Sequence, residues 1–136
     1  MPRVLAAVSP RAWPRLAAIL RDWPTVVVST REELERALNR QRFDIIIVGM
    51  HFDQSAACEV LRFIVKRGVR VPLVCIRALP FERGLGAASI DAFRLASHEL
   101  GAHNFLDLLE YPASEAGNRQ LRQFLQELLP EASVPN

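Results

Sequence analysis

Three polar residues follow two apolar runs and could do chemistry. His51 and Asp53 come shortly after the run Phe43–Val48, and Arg77 comes directly after Val71–Ile76. An imidazole and a carboxylate can hold a metal ion, a carboxylate can accept a phosphoryl group, and a guanidinium can bind an anion. Metal sites need several converging ligands, and no others accompany this pair, so we favour a polar loop for His51 and Asp53.

Arg77 is open to more than one interpretation. Its guanidinium could bind an anion, could pair with Asp53 and hold one conformation, or could be solvated at the end of a strand. An exposed ion pair contributes little to stability, which favours the solvated side chain. A phosphoryl acceptor at Asp53 and a sensor of small anions at Arg77 stay open as alternative functions.

The other reactive residues form weaker patterns. His98 and His103 lack the third ligand of a metal site, and Asp107 is interpreted as a surface residue. Cys58 and Cys75 form no CxxC pair, so we expect them to pack as small apolar side chains. The sequence therefore predicts no catalytic residue, no metal and no cofactor.

The bulk composition is that of one globular domain. The chain has 136 residues, of which 50% are hydrophobic, and its formal net charge is +2. This charge is too small to indicate nucleic acid or an anionic membrane as a partner. No apolar run reaches the roughly 20 residues that span a bilayer, and the N-terminus lacks the pattern of a signal peptide, so we expect a cytoplasmic protein.

Five short apolar runs alternate with five amphipathic segments. The runs are predicted as strands, at Arg3–Val8, Thr25–Ser29, Phe43–Val48, Val71–Ile76 and Asn104–Leu108. The segments are predicted as helices. The first is Pro14–Asp22, the second begins at a capping box of Thr30 and Glu33, and the third runs from near Ser55 to Gly68. The fourth runs from Ala88 or Ser89 to Leu100, and the fifth from about Asn118 to Leu129. Tyr111–Gly117 is predicted as a connection. One domain over residues 1–130 is expected, followed by a disordered tail at 131–136.

Alternating strands and helices require right-handed crossovers and a parallel sheet that is covered on both faces. We therefore predict an α/β fold with a doubly wound five-stranded sheet in the flavodoxin-like order 2-1-3-4-5. Any functional site is expected at the carboxyl ends of the strands.

Three stretches in this order resemble the receiver domains of bacterial response regulators. Phe43–Ile64 aligns without a gap to the third strand, loop and third helix of that family, whose pattern is roughly PDLVLLDxxMPxxxGxELLxxI. Val71–Val74 is similar to the opening of its fourth strand, and Gly101–Leu106 to its GAxxYL segment. The resemblance covers nearly the whole chain, from Arg3 to Leu129.

The resemblance implies phosphotransfer chemistry that these residues do not support. A receiver accepts a phosphoryl group on an aspartate that ends strand three. Two acidic residues after strand one hold Mg²⁺, a hydroxyl residue ends strand four, and a lysine ends strand five. Metal, hydroxyl and ammonium neutralise the oxygens of the transferred group. In this chain those positions carry other residue types, so we expect a degenerate site. The acceptor position falls on Gly49 and the acidic pair on Val8 and Ser9. The hydroxyl position falls on Arg77 and the lysine position on Leu108.

A long loop before the fourth helix is the strongest positive feature. It carries about nine more residues than the family pattern, near Leu79–Ala87. This loop is predicted to form an interaction face with Phe81, Leu85 and Phe105, although it could equally fold over the degenerate phosphorylation site. We predict a phosphorylation-independent receiver-like signalling module, not an enzyme, whose partner is another protein (a regulator, kinase or output domain) or a second copy of itself.

Overall fold

The computed structural model describes residues 1–53, 57–79 and 87–129. Its centre is a parallel sheet of five strands in the order β2-β1-β3-β4-β5. The strands are β1 Val4–Ala7, β2 Thr25–Val28, β3 Ile45–Gly49, β4 Leu73–Arg77 and β5 Asn104–Asp107. The predicted fold class and strand order are confirmed.

Five α-helices alternate with these strands. They are α1 Trp13–Leu20, α2 Arg31–Arg40, α3 Ala57–Lys66, α4 Ala87–Glu99 and α5 Glu115–Glu127. The predicted end of the first helix at Asp22 is wrong, because Arg21 leaves the helical conformation with φ of 42° while its N–H still donates to Ala17 O. Among the described residues, no helix is long and apolar enough to cross a bilayer. The predicted tail at 131–136 lies outside the described residues.

The sheet is buried on both faces, which explains why its central strands are continuous apolar runs. Every residue of β1 and β3 is buried. One core cluster joins the sheet to α1 and α5, through residues such as Ile19 and Leu121. A second cluster joins the opposite face to α2 and α3, through residues such as Leu34 and Leu61.

The first turn of α2 is held by the predicted capping box. The Thr30 side chain accepts a hydrogen bond from the Glu33 N–H at 3.2 Å. The Glu33 carboxylate accepts in return from the N–H groups of Ser29 and Thr30, at 3.0 and 3.2 Å. Hydrogen bonds from the Ser29 backbone, and then from its side chain, lower the pKa of Glu33. This start of α2 is confirmed as the sequence predicted it.

The last helix begins earlier than predicted. Ser114 caps α5, since its Oγ accepts from the Gly117 N–H at 3.3 Å, and Glu115 lies in the first turn, where the helix dipole favours an acidic residue. β5 also ends one residue early, because Leu108–Glu110 forms a short 3₁₀ helix. The predicted connection Tyr111–Gly117 is therefore wrong in its second half.

Arginine side chains join α1 to α5. Arg15 on α1 donates from Nε to Oδ1 of Asn118 on α5 at 3.1 Å, and from Nη2 to the carbonyl oxygens of Tyr111 and Pro112, just before α5, at 3.3 and 3.2 Å. Arg122 donates from Nε to the carbonyl oxygen of Ile19 at 2.8 Å. The planar guanidinium suits such bonds because its donors have a fixed geometry. Part of the arginine in this chain thus holds two helices together.

The two thiols should differ sharply in reactivity. Cys75 is fully buried in β4, whereas Cys58 on α3 is partly exposed. Burial, and next the nearby Cys58, raise the pKa of Cys75 from 9.0 to about 12. Since the thiolate is the reactive form, we expect Cys75 to react with a disulfide reagent at pH 8 roughly a thousandfold more slowly than an ordinary thiol.

The Cys58→Ser variant isolates this effect, because Cys75 is then its one remaining thiol. Its labelling at pH 8 should be slow in buffer and fast in urea, and fast labelling of the folded variant would contradict the burial argument. The sign of the pKa shift also fixes a pH effect. The unfolded thiol ionises first, so stability due to Cys75 is complete below pH 9.0 and is lost as pH rises to about 12.

Candidate functional site

The carboxyl ends of four strands bring the predicted positions to one edge of the sheet. The register places Ala7 beside Val48, Gly49 beside Ile76 and Arg77 beside Asp107. The positions that meet at this edge are Val8, Ser9, Gly49, Arg77 and Leu108. We call this edge the carboxyl rim.

The acceptor position lies beside the first acidic position, and neither of them carries a polar side chain. A Cβ atom at Gly49 would lie 3.3 Å from Cγ1 of Val8, and Val8 is fully buried. The Val8 N–H donates to the carbonyl oxygen of Val28 at 3.2 Å. At these two positions the rim therefore offers neither a nucleophile nor a side-chain oxygen.

The second acidic position and the lysine position are occupied by structural residues. The Ser9 carbonyl accepts from the Ala12 N–H at 3.0 Å, and the Ser9 Oγ is buried without a hydrogen bond to any residue the structure describes. Leu108 is buried in the core cluster that contains α1 and α5. The lysine position therefore carries a buried apolar side chain and supplies no ammonium group.

A buried ion pair lies at the ends of β4 and β5. Arg77 Nη1 is 2.9 Å from Asp107 Oδ2, and the two side chains are 13% and 2% exposed. The other carboxylate oxygen, Oδ1, accepts from the Leu109 N–H at 3.1 Å and so caps the 3₁₀ helix. The interpretation of Asp107 as a surface residue is wrong, because the register of β4 and β5 sets it beside Arg77.

The loop after β3 is anchored by an apolar side chain. Phe52 is fully buried in the core cluster of α2 and α3, and its N–H donates to the Gly49 carbonyl at 3.0 Å. Asp53 follows with φ of 45°, a conformation that aspartate tolerates better than most residues. Its Oδ2 accepts from the Arg31 N–H at 3.0 Å. The carboxylate of Asp53 thus binds the first turn of α2, and Arg77 pairs with Asp107 instead.

The residues at the carboxyl rim do not fit the Mg²⁺ of a phosphorylating receiver. Mg²⁺ requires oxygen ligands, and Val8 and Gly49 supply none from their side chains. The carboxylates of Asp53 and Asp107 are engaged as described above. Over residues 1–53, 57–79 and 87–129, no three His, Cys, Asp or Glu side chains converge as a metal site would require.

Of the two histidines considered as a metal pair, His103 is held by hydrogen bonds to the backbone of β4. Nδ1 of His103 accepts from the Leu73 N–H at 3.0 Å, and the His103 N–H donates to the Leu73 carbonyl at 2.8 Å. These bonds lie at the amino ends of β4 and β5, at the opposite edge from the carboxyl rim. The bond to Nδ1 gives His103 a structural role at the start of β4.

The predicted interaction face is described only in part. Phe81 and Leu85 lie outside the described residues, whereas the Phe105 ring lies 5.7 Å from the ring of Phe93 and 5.1 Å from the guanidinium carbon of Arg94. Leu95 on α4 is 63% exposed. We call the exposed residues Arg94 and Leu95, together with the Phe105 ring beneath Arg94, the α4 face. The sequence did not single out Leu95, because the apolar residues of α4 do not fall on one side of the helix.

Comparison by sequence finds no relatives, since no family profile and no curated protein sequence matches this chain. Comparison by structure finds many. A response regulator from Thermotoga maritima aligns with a TM-score of 0.70 and 13% identity, over 94% of this chain and 97% of that one. The BeF3-activated N-terminal receiver domain of Klebsiella pneumoniae RstA aligns with a TM-score of 0.69 and 18% identity, over 93% and 97%. HP1043, an orphan response regulator of H. pylori, aligns with a TM-score of 0.65 and 13% identity, over 95% and 97%. At such identities these alignments establish a shared fold.

Proposed function

We propose that this chain is a receiver-like module of bacterial two-component signalling that acts by binding a protein in the cytoplasm. It carries out no catalysis and accepts no phosphoryl group on an aspartate. The fold shared with response regulators supports the signalling role. The observation that carries phosphorylation independence is the pair Gly49 and Val8, which places no nucleophile at the acceptor position and a buried hydrocarbon side chain beside it.

The Arg77–Asp107 ion pair supports one fixed conformation. A receiver that switches needs groups at the rim that rearrange around an incoming phosphoryl group, and a ligand shifts an equilibrium only through differential affinity for its states. Here the guanidinium at the rim already has a carboxylate partner at 2.9 Å. Any switching of this module would therefore come from the binding of a partner.

Intact-protein mass spectrometry after incubation with acetyl phosphate and Mg²⁺ tests the proposal. We expect no added phosphate, because the rim offers neither an aspartate at position 49 nor ligands for the metal. Beryllofluoride with Mg²⁺ should likewise leave the melting temperature unchanged. A phosphorylating receiver treated in parallel provides the positive control.

Two outcomes would replace the proposal with one of its alternatives. A gain of one phosphate that disappears in Asp53→Asn would make this chain a phosphorelay receiver with a displaced acceptor. Stabilisation by inorganic phosphate that disappears in Arg77→Met would make it a sensor of small anions. The second result would require the anion to displace Asp107 from the guanidinium.

The α4 face is the proposed partner surface. Leu95 exposes an apolar side chain beside Arg94, whose guanidinium stacks on the ring of Phe105. An exposed leucine and an exposed arginine over a partly buried aromatic ring are typical anchors of protein interfaces. We propose that a second copy of the chain, or the receiver or output domain of another regulator, docks on this face.

Leu95→Glu should weaken self-association through the α4 face while leaving the fold intact. A carboxylate placed at the centre of an interface is desolvated without a partner, so we expect dimerisation to weaken at least about tenfold. The free energy of unfolding should change by less than about 0.5 kcal/mol, because Leu95 is exposed in the monomer. Analytical ultracentrifugation and urea titration measure the two effects.

Val27→Glu is the matched control, since Val27 is 40% exposed on the edge strand β2. It introduces the same charge at an exposed apolar position away from the α4 face and should not affect association. A wild-type protein that stays monomeric at about 0.1 mM would contradict self-association. Equal weakening by both variants would contradict the assignment to this face.

A further inference from the structure

A second surface lies at the amino edge of the sheet, opposite the carboxyl rim. A cleft of about 380 Å³ opens there, between the C-terminal ends of α2 and α3. Phe43 and Ile46 line it and are buried, and the partly exposed side chains of Leu38 and Val69 add to its apolar lining. We call it the basic cleft, for the charges described next.

Positive charge is concentrated around this cleft. Residues 38–44 and 66–71 contain five basic residues and one acidic residue, a net charge of +4. The whole chain has a net charge of only +2, so the rest of it is slightly acidic. The basic residues are Arg40, Arg42, Lys66, Arg67 and Arg70, and all five are exposed. Such a concentration of one sign attracts ligands of the opposite sign.

The neighbouring polar groups leave this charge largely uncompensated. The carboxylate of Asp44 accepts from the backbone N–H of Arg3 at 2.7 Å, so it is directed toward β1. Arg67 donates to Asn39 Oδ1, a neutral group, and this bond links the ends of α3 and α2. Arg40 and Lys66 lie in the last turns of their helices, where a cation stabilises the helix dipole. Arg42 and Arg70 line the cleft and lie beyond the ends of the helices, so they do not stabilise a helix dipole from within its last turn.

The distribution of polar groups identifies the kind of ligand. Enclosed sites for small molecules usually hold a few polar groups inside, which orient the ligand. In the basic cleft the lining is mostly apolar. Gln41 also lines it, and its Oε1 accepts from Arg3 Nη1 at 3.2 Å, whereas the charged lining residues, Arg42 and Arg70, are exposed. This arrangement fits one apolar side chain that enters the cleft from a backbone lying outside, with carboxylates on either side of it.

We propose that the basic cleft binds an acidic segment of a partner protein, anchored by one large apolar side chain. The anchor packs on Phe43 and Ile46, and the flanking carboxylates pair with Arg42 and Arg70. This site lies at the other edge of the sheet from the α4 face. It does not depend on the function proposed above, and either can fail without the other.

Fluorescence anisotropy with a labelled seven-residue peptide tests the proposal on the full chain. The peptide has one leucine flanked by three aspartates on each side, and we expect a Kd of roughly 0.1 mM in low salt. Replacing its leucine with serine should weaken binding about tenfold or more, through lost apolar burial. The double variant Arg42→Glu/Arg70→Glu should weaken binding of the leucine peptide at least about tenfold.

Two further variants separate the cleft from general electrostatics. Arg11→Glu/Arg119→Glu changes the net charge equally, at exposed positions outside the cleft, and should leave the Kd within about twofold. Val69→Trp fills the cleft while keeping its charges and should also weaken binding about tenfold. Circular dichroism on each variant confirms that it is folded.

Several results would overturn the proposal. They are the absence of saturable binding up to about 5 mM peptide, equal affinity for the serine peptide, and equal weakening by the Arg11→Glu/Arg119→Glu control. Binding to anionic vesicles of phosphatidylglycerol tests the alternative that this surface binds a membrane. Tight binding to vesicles that requires Arg42 and Arg70, without binding of the leucine peptide, would identify the surface as a membrane site instead.

Discussion

Replacing Arg77 with methionine should lower the free energy of unfolding by about 3–5 kcal/mol, because it leaves a buried carboxylate uncompensated. The Asp107 side chain is only 2% exposed, so water cannot replace the guanidinium. The reverse change, Asp107→Leu, should also destabilise the protein, since it removes the carboxylate that pairs with Arg77 Nη1 and the acceptor of the Leu109 N–H. Urea denaturation followed by circular dichroism measures both.

The double variant Arg77→Met/Asp107→Leu distinguishes a desolvated ion pair from simple packing. With both charges gone, most of the lost stability should return, leaving a deficit of about 1 kcal/mol for the uncapped Leu109 N–H. Arg21→Met is the matched control, because Arg21 pairs with Glu115 at 2.6 Å but the two side chains are 49% and 52% exposed. It should change stability by less than about 1 kcal/mol. A loss of similar size in Arg77→Met and Arg21→Met would refute the role of burial.

Phe52→Ala should destabilise the protein by about 3–5 kcal/mol, since it empties a fully buried aromatic site. The effect should reach beyond the core. Phe52 anchors the loop that runs from Gly49 to Asp53, and Asp53 holds the first turn of α2 through the Arg31 N–H. Loosening the loop should therefore raise hydrogen exchange at the start of α2 as well as lower the midpoint of urea denaturation.

Phe52→Met tests whether the site needs volume or an aromatic ring. The family pattern has methionine at this position, and flexible methionine fills core sites of similar volume, so the loss should stay below about 1.5 kcal/mol. Phe63→Ala on α3 serves as a control, because Phe63 is partly exposed, with the guanidinium of Arg31 5.3 Å from its ring centroid. A Phe52→Ala variant as stable as Phe63→Ala would show that the loop is not anchored by Phe52.

Local sequence signals were sufficient for most of the fold. The apolar run at β3 and the Thr30–Glu33 capping box each depend on neighbours within a few residues, and both are confirmed. The start of α5 was missed, because Tyr111–Gly117 was predicted as a connection. A cap at Ser114 followed by Glu115 was the signal present in the sequence.

The site was harder to predict because its contacts cross between strands. Arg77 and Asp107 are 30 residues apart, and only the register of β4 and β5 shows that they are neighbours. The sequence also suggested Asp53 as a partner of Arg77, because both residues follow strands that end at the same edge of the sheet. The basic cleft depends on a similar juxtaposition, of the ends of α2 and α3, which the sequence presents as separate charged segments.

The arginine bonds between α1 and α5 give the molecule one stiff flank. Directional bonds from Arg15 to Asn118 and from Arg122 to the carbonyl of Ile19 resist sliding of one helix along the other. On the α4 side, contacts between rings and a guanidinium are less directional, and thermal fluctuation should concentrate there. A protein that docks on α4 must quench that fluctuation, so its affinity carries an entropic penalty that a ligand on the stiff flank would avoid.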